Sequence, residues 1–245
     1  MAKKVSPAAH EGSAAMESSR VERVVISPPK LPVAEFALMG TAPLMVCRFS
    51  AKALTSIREK QEMGSTSRKG AQRAAKNFDA DFNGARHVAR EGGWDGLHAA
   101  AFRAAMISAC RLVGYKMTLA KMSLFVEPDG FDVVDGVPLV RIISPAPPEM
   151  SVMHTRNATG VMDLRARPLW PAWGMRLRVK FDADQFTVDD VTNLLTRVGV
   201  QVGIGEGRPD SRASAGMGFG TFRLAEPDEI EAWGTPPASV TRRKR

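Results

Sequence analysis

The sequence contains little cysteine and no long hydrophobic run. Its two cysteines, Cys47 and Cys110, have no spacing typical of a metal site, and Cys110 lies in an apolar stretch with helical periodicity. We expect both to be reduced packing residues. No apolar run approaches the length of a membrane span, and the N-terminus lacks the apolar core of a secretory signal. These absences predict a soluble cytoplasmic protein without a membrane partner.

Two nucleotide-binding motifs are missing from the most glycine-rich stretch of the chain, between Gly199 and Phe222. A Walker loop would end in Gly-Lys-Ser/Thr and lead into a helix. The dinucleotide fingerprint would need a further glycine and a following helix, whereas Gly203-x-Gly205 continues into Glu206, Gly207 and Pro209. We therefore expect no nucleotide cofactor, and nothing in the sequence points to another cofactor.

Positive charge is in excess and is concentrated in two intervals. The 245 residues carry a formal net charge of +8, with 34 Lys or Arg against 26 Asp or Glu. The interval 48–90 holds ten basic and four acidic residues, and the interval 141–180 holds seven and two. The remainder of the chain is net acidic. Such regional charge favours an anionic partner, although a solvated surface kept soluble by charge would have the same composition.

The glycine-rich stretch combines these two features, glycine and positive charge. Its glycines tolerate positive φ and allow another backbone to approach closely, and its N–H groups could form an anion-binding concavity. The sequence therefore predicts a phosphate-binding loop, although a plain hairpin loop is the alternative. The residues assigned to the loop are Gly203, Gly205, Gly207, Arg208 and Arg212.

Other cations and three aromatic side chains are also predicted to contact a nucleic acid. In Met175–Phe181 apolar residues alternate with basic ones, which places a positive face on a strand. Three aromatics in or beside the first basic interval could stack on bases, namely Phe78, Phe82 and Trp94. The cations assigned to phosphate contacts are Arg68, Lys69, Arg73, Lys76, Arg156, Arg165, Arg167, Arg176 and Arg178.

The order of predicted elements indicates an α+β fold, with helices on one face of an antiparallel, ferredoxin-like sheet. Strands are predicted over Val33–Met39 and Met175–Phe181. A hairpin-like pair of strands is predicted over Met122–Glu127 and Val137–Ile143. Helices are predicted over Ser50–Met63, Leu97–Val113 and Thr187–Val198, the last with a Thr187/Asp190 capping box and an end at Gly199, followed by a short strand. The domain is expected over 33–225, with a mobile basic insertion at 64–92, a disordered arm at 1–32 and a basic tail at 226–245.

Three segments resemble the repeat-associated mysterious protein (RAMP) superfamily, especially the backbone subunits that coat guide RNA in CRISPR effector complexes. Gly96–Ala105 is similar to the turn into the family's first helix, Arg156–Gly160 to an Arg-rich segment before a strand, and Gly203–Gly220 to the family's glycine-rich loop. The resemblance implies a modified RNA-recognition-motif sheet, a flexible arm, and copies assembled side by side along a single strand. Other effector-complex subunits are implied partners. A free-standing phage or mobile-element relative, located in the host cytoplasm, also fits the resemblance.

Catalysis is the main alternative to binding. Family members that cleave RNA without metal usually use a histidine, and His87, His98 and His154 are candidates here; His154, beside Arg156, is the one assigned. No cluster of carboxylates and histidines is evident in the sequence, so no metal site is predicted. We expect a single-stranded RNA- or DNA-binding protein that forms a homo-oligomer or filament. A metal-independent endoribonuclease and a phage assembly protein without nucleic-acid binding are the two alternatives.

Overall fold

A computed structural model describes residues 27–48, 76–156, 162–211 and 216–234 of the chain. Within these ranges it contains antiparallel sheets and several helices, so the predicted α+β class is confirmed. The strands are β1 (Val33–Gly40), β2 (Leu44–Met45), β3 (His87–Val88), β4 (Asp95–His98), β5 (Leu124–Glu127), β6 (Gly130–Phe131), β7 (Pro138–Arg141), β8 (Glu149–Arg156), β9 (Met162–Trp170), β10 (Gly174–Phe181) and β11 (Phe222–Ala225). The α-helices are α1 (Phe78–Gly84), α2 (Ala99–Ala109), α3 (Met117–Ser123), α4 (Val188–Arg197) and α5 (Pro227–Gly234).

The central sheet has four antiparallel strands in the order β11-β1-β10-β5. Helix α2 lies between β1 and β5 in the chain, and α4 lies between β10 and β11. Both helices pack on the same core, to which α2 contributes Phe102 and Met106 and α4 contributes Val191 and Leu195. The register places Phe36 of β1 opposite Leu177 of β10. These apolar faces meet under the two helices and exclude water from the centre of the domain.

Strand β10 confirms the alternation predicted from its sequence. Met175, Leu177 and Val179 are fully buried, whereas Arg176, Arg178 and Lys180 are not. Successive side chains of a strand point to opposite faces, so the three cations lie on the face turned away from the core. We call this the outer face of the central sheet.

The helix predicted from Leu97 begins at Ala99, because Leu97 and His98 belong to β4, and the predicted start at Thr187 is confirmed; both helices have side-chain caps. His98 Nδ1 accepts the Ala100 N–H at 3.0 Å, and the α2 helix continues as a 3₁₀ turn, Cys110–Val113, until Gly114 adopts a φ of 70°. At α4, Thr187 and Asp190 form both hydrogen bonds of a capping box.

Two further sheets flank the central one and correct the predicted hairpin. They have the orders β2-β9-β8 and β3-β4-β7-β6. The predicted partners, β5 and β7, are not paired with each other: β5 pairs with β10, and β7 lies between β4 and β6. Leu139 and Val140 are adjacent in β7 and both fully buried, so this strand is covered on both faces. In an antiparallel sheet with one solvated face, only one of two adjacent residues would be buried.

The α-helix α4 ends at Arg197, one residue before its predicted end at Val198, but the short strand predicted from Gly199 is wrong. The chain continues as a π-helical turn, Val198–Val202. Gly199 lies so close to β11 that a Cβ on it would be 2.1 Å from the Phe222 carbonyl oxygen. This glycine therefore permits close packing of the π-helical turn on β11.

Several sequence predictions lie outside the described residues. These are the helix at Ser50–Met63, residues 1–26 of the N-terminal arm, residues 235–245 of the tail, and Arg68, Lys69, Arg73 and Arg212. The described part of the predicted insertion, 76–92, contains α1 and β3. No helix in the described ranges is long and apolar enough to cross a membrane.

Candidate nucleic-acid interface

The outer face of the central sheet borders a cleft of about 590 Å³. Trp94, just before β4, and Arg176 of β10 both line this cleft, so the structure brings together two residues that the sequence assigned to nucleic-acid contact. We call it the Trp94 cleft. Its other lining residues are Asp129, Arg141, Ile143, Ile230 and Glu231.

Two glycines create the space that the Trp94 indole occupies. A Cβ on Gly96 of β4 would be 3.0 Å from Trp94 Cζ3, and a Cβ on Gly130 of β6 would be 2.9 Å from Cζ2. The ring thus lies against two strands that have no side chain at the contact points. It is only half-buried and contributes to the cleft wall. An aromatic ring fixed in this way is a suitable platform for a base.

The arginines near the Trp94 cleft already have acidic partners. Arg176 pairs with Glu231 of α5 and lies 3.7 Å from Glu35 Oε1. Arg178 Nη2 lies 3.1 Å from Asp129 Oδ1 and donates to the Pro128 carbonyl at 2.7 Å. The predicted positive sheet face is therefore largely neutralised by neighbouring carboxylates.

Arg141 is a cation of the Trp94 cleft that the sequence did not assign to nucleic-acid contact. Its side chain is exposed at the end of β7, and no hydrogen bond or ion pair of its guanidinium is found among the described residues. Its backbone N–H donates to Asp129 Oδ2 at 2.8 Å. The only signal in the sequence was its position as the first residue of the second basic interval.

Phe78 and Phe82 of α1 lie half-buried away from the Trp94 cleft. Phe82 lines a separate cleft of about 480 Å³ that also contains Arg86 and Trp170. Lys76, just before α1, pairs with Asp163 of β9 and contacts the Leu164 carbonyl. The structure therefore divides the predicted aromatic platforms between two surfaces.

The glycine-rich loop joins the π-helical turn to β11, and its glycines serve internal packing. Gly203, Gly205 and Gly207 have φ between 69° and 76°, which confirms the predicted need for glycine. A Cβ on Gly205 would be 2.5 Å from the Met45 carbonyl oxygen. The N–H groups of Glu206 and Phe219 donate to the Met45 and Gly207 carbonyls at 2.8 and 3.1 Å. These N–H groups are thus engaged within the protein.

The cations around the glycine-rich loop are partly engaged as well. Arg208 Nη1 donates to the Gly205 carbonyl at 3.0 Å and lines a small cavity against α2. Arg167 of β9 is nearly buried and pairs with Glu206 at 2.9 Å, which ties the β8–β9 hairpin to the loop. Arg165 lies 3.6 Å from Asp163. The side chain of Arg156 lies outside the described residues.

The three candidate histidines lie in different environments. His154 is exposed on β8, and no hydrogen bond or ion pair of its side chain is found among the described residues. His98 caps α2; burial and then the neighbouring His87 lower its pKa, with Asp135 opposing them. His87 Nδ1 lies 2.8 Å from Asp132 Oδ2. The histidine with an orienting carboxylate is thus His87 and not the assigned His154.

No protein-family model matches the chain, and no curated protein is significantly similar to it.

Proposed function

We propose that this protein binds single-stranded nucleic acid, with the Trp94 cleft as a base-binding site. The observation that carries the proposal is the convergence of a supported indole ring, Trp94, with Arg141 and Arg176 in one open cleft. Proteins that bind single strands combine aromatic platforms for bases with cations for the backbone. Arg141 supplies a cation whose guanidinium has no partner among the described residues.

The ion pairs around the cleft do not prevent this function. The side chains of Arg176 and Glu231 are 40% and 62% exposed, and such surface pairs contribute only about 0–1 kcal/mol. A phosphate could therefore replace Glu231 at Arg176 at little cost. Arg208 and the remaining cations of the glycine-rich loop are proposed to contact the backbone elsewhere along the strand, through side chains and not through a cradle of N–H groups.

We further propose that the central unit is ferredoxin-like and that the chain is a RAMP-superfamily relative. The support is the chain order β1, α2, β5, β10, α4, β11 combined with the sheet order β11-β1-β10-β5. Each helix links two strands that have one other strand between them in the sheet. Helix α2 links β1 to β5, with β10 between them, and α4 links β10 to β11, with β1 between them. RNA-recognition motifs use a four-stranded sheet of this kind to stack bases.

Side-by-side assembly is part of the same proposal and is supported by the β8–β9 hairpin. Four apolar side chains on one face of this hairpin are between 40% and 56% exposed, namely Met150, Val152, Met162 and Leu164. We call them the hairpin patch. Contiguous exposed apolar surface is typical of interaction sites. The patch also fits the alternative of an assembly protein, which would associate without binding nucleic acid.

The affinity of cleft variants for labelled oligonucleotides tests the function. Trp94→Ala should weaken binding of single-stranded RNA or DNA by about 5- to 150-fold, because base stacking contributes about 1–3 kcal/mol. Phe131→Ala is the matched control. Phe131 is an exposed aromatic residue of β6, in the sheet β3-β4-β7-β6, and it does not line the cleft. Equal loss in both variants, or no binding by the wild type, would contradict the proposal. Oligonucleotide copurifying with the protein, digested by ribonuclease or deoxyribonuclease, would identify the strand.

A further inference from the structure

Three potential metal-binding side chains converge where the segment after β3 pairs with the segment after β6 through the Ala89–Asp132 bridge, which joins the two edges of the peripheral sheet β3-β4-β7-β6. His87 belongs to β3, Asp132 follows β6, and Asp135 lies in the turn before β7. One ligand atom from each residue lies within 4.8 Å of those of the other two. Asp132 and Asp135 follow His87 by 45 and 48 positions in the chain, so no spacing motif in the sequence indicated this cluster.

The cluster places negative charge where water is largely excluded. The Asp132 side chain is fully buried, and that of His87 is 9% exposed. Arg48 Nη1 lies 3.4 Å from Asp132 Oδ1 and is the only cation paired with the cluster among the described residues. Beside the His87 imidazole, two carboxylates face one guanidinium, so acidic side chains outnumber the cation paired with them. Buried carboxylates are commonly paired with cations or coordinate metals.

Each carboxylate has one oxygen oriented by the backbone. Asp132 Oδ1 accepts the Val134 N–H at 2.7 Å, and its Oδ2 faces His87. Asp135 Oδ1 accepts the Val137 N–H at 3.2 Å.

His98 lies close by but is not available as a further ligand. Its ring centroid is 6.3 Å from that of His87. Because its Nδ1 accepts the Ala100 N–H, the neutral ring carries its proton on Nε2 and has no second lone pair to offer.

We propose that His87, Asp132 and Asp135 bind one divalent transition-metal cation, with Zn²⁺ or Mn²⁺ as the fitting class. One imidazole nitrogen and two carboxylate oxygens are ligands that both ions accept. The three donor atoms now lie within 4.8 Å of one another, and metal–ligand bonds of about 2.0–2.2 Å require shorter separations than this limit. Asp135 is exposed and can supply this movement by side-chain rotation. The bound ion would fasten β3 to the β6–β7 turn, and it is independent of nucleic-acid binding.

Titration calorimetry on chelator-treated full-length protein tests the site with Zn²⁺, Mn²⁺ and Mg²⁺ in turn. We expect one equivalent of Zn²⁺ or Mn²⁺ per chain and a higher melting temperature with that ion, but no comparable effect of Mg²⁺. Asp135→Asn should weaken binding by more than about tenfold, because it changes a ligand and even the loss of an outer-shell partner commonly costs that much. Asp184→Asn, at another exposed turn aspartate, should bind as the wild type does.

A His87 variant provides a second test of the site, with Co²⁺ absorption and circular dichroism as the two measurements. His87→Gln should abolish the change in visible absorption that Co²⁺ shows when it binds the wild type, and circular dichroism establishes whether the variant is folded. If His87→Gln is unfolded, Asp135→Asn alone decides the outcome. Absence of saturable binding, or binding that is unchanged in Asp135→Asn, would overturn the proposal.

Discussion

The indole ring of Trp94 lies over Gly130 so closely that a Cβ on this glycine would be 2.9 Å from Cζ2. Gly130→Ala should therefore displace the ring, at a cost of about 1–3 kcal/mol for overpacking. We expect altered tryptophan fluorescence and weaker oligonucleotide binding in a protein that still folds. Gly84→Ala is the control, because a Cβ there meets nothing within 4 Å. Unchanged fluorescence and affinity in Gly130→Ala would show that the ring position does not depend on this contact.

Substitutions in the glycine-rich loop should separate folding from binding. Gly205→Val adds a Cβ 2.5 Å from the Met45 carbonyl oxygen at a φ of 76°, so we expect a lower melting temperature. Arg208→Ala should instead weaken oligonucleotide binding, while the loss of its hydrogen bond to the Gly205 carbonyl should lower stability by only about 0.5–1.5 kcal/mol. Melting temperature and affinity measured on both variants give the comparison. If Arg208→Ala binds normally, the loop has only a packing role.

The hairpin patch should control self-association. Leu164→Glu places a charge on the exposed apolar face of β8–β9, where desolvation on assembly would oppose contact between copies. Light scattering at saturating oligonucleotide should show smaller assemblies for this variant than for the wild type. Val188→Glu changes a similarly exposed apolar residue at the start of α4 and should leave assembly size unchanged. Monomeric wild-type protein on the oligonucleotide would contradict the assembly proposal.

Attachment of α5 should weaken in acid. The hydrogen bond from Arg223, followed by that from the Glu226 N–H, lowers the pKa of Glu229 from 4.5 to about 2. Because the folded-state pKa is depressed, this contribution is fully present above about pH 4.5 and is lost as the pH falls towards 2. Melting temperatures between pH 6 and 2 should show wild type above Glu229→Gln at pH 6, with the difference disappearing in acid. A constant difference between wild type and Glu229→Gln at every pH would refute the linkage.

Local signals in the sequence predicted much of the central unit. The alternation in β10, the periodicity of α2 and the Thr187/Asp190 capping box each depend on neighbours within a few residues, and each is confirmed. The strand predicted from Gly199 is wrong because the close partner of this glycine, Phe222, is distant in sequence. The pairing of β7 with β4 was missed for the same reason.

The candidate site was only partly visible in the sequence. Trp94 and Arg176 were each assigned to nucleic-acid contact, from composition and from strand alternation. Their common cleft arises because β7, β10 and α5 pack next to Trp94. The carboxylates that pair with Arg176 and Arg178 come from distant segments, so net charge overestimated the exposed positive face. His87 and Asp132 meet because the segments after β3 and β6, distant in sequence, pair through the Ala89–Asp132 bridge.

The salt dependence of oligonucleotide affinity for wild type, Arg141→Ala and Arg197→Ala tests the central claim most directly. Arg141 lines the Trp94 cleft, whereas Arg197 is an exposed arginine at the end of α4 outside that cleft. We predict a steep loss of wild-type affinity with salt and a log–log slope that falls by about 0.7, one phosphate's share, in Arg141→Ala alone. A flat wild-type titration, or identical slopes and affinities for wild type and Arg141→Ala, would contradict binding of single strands at this cleft.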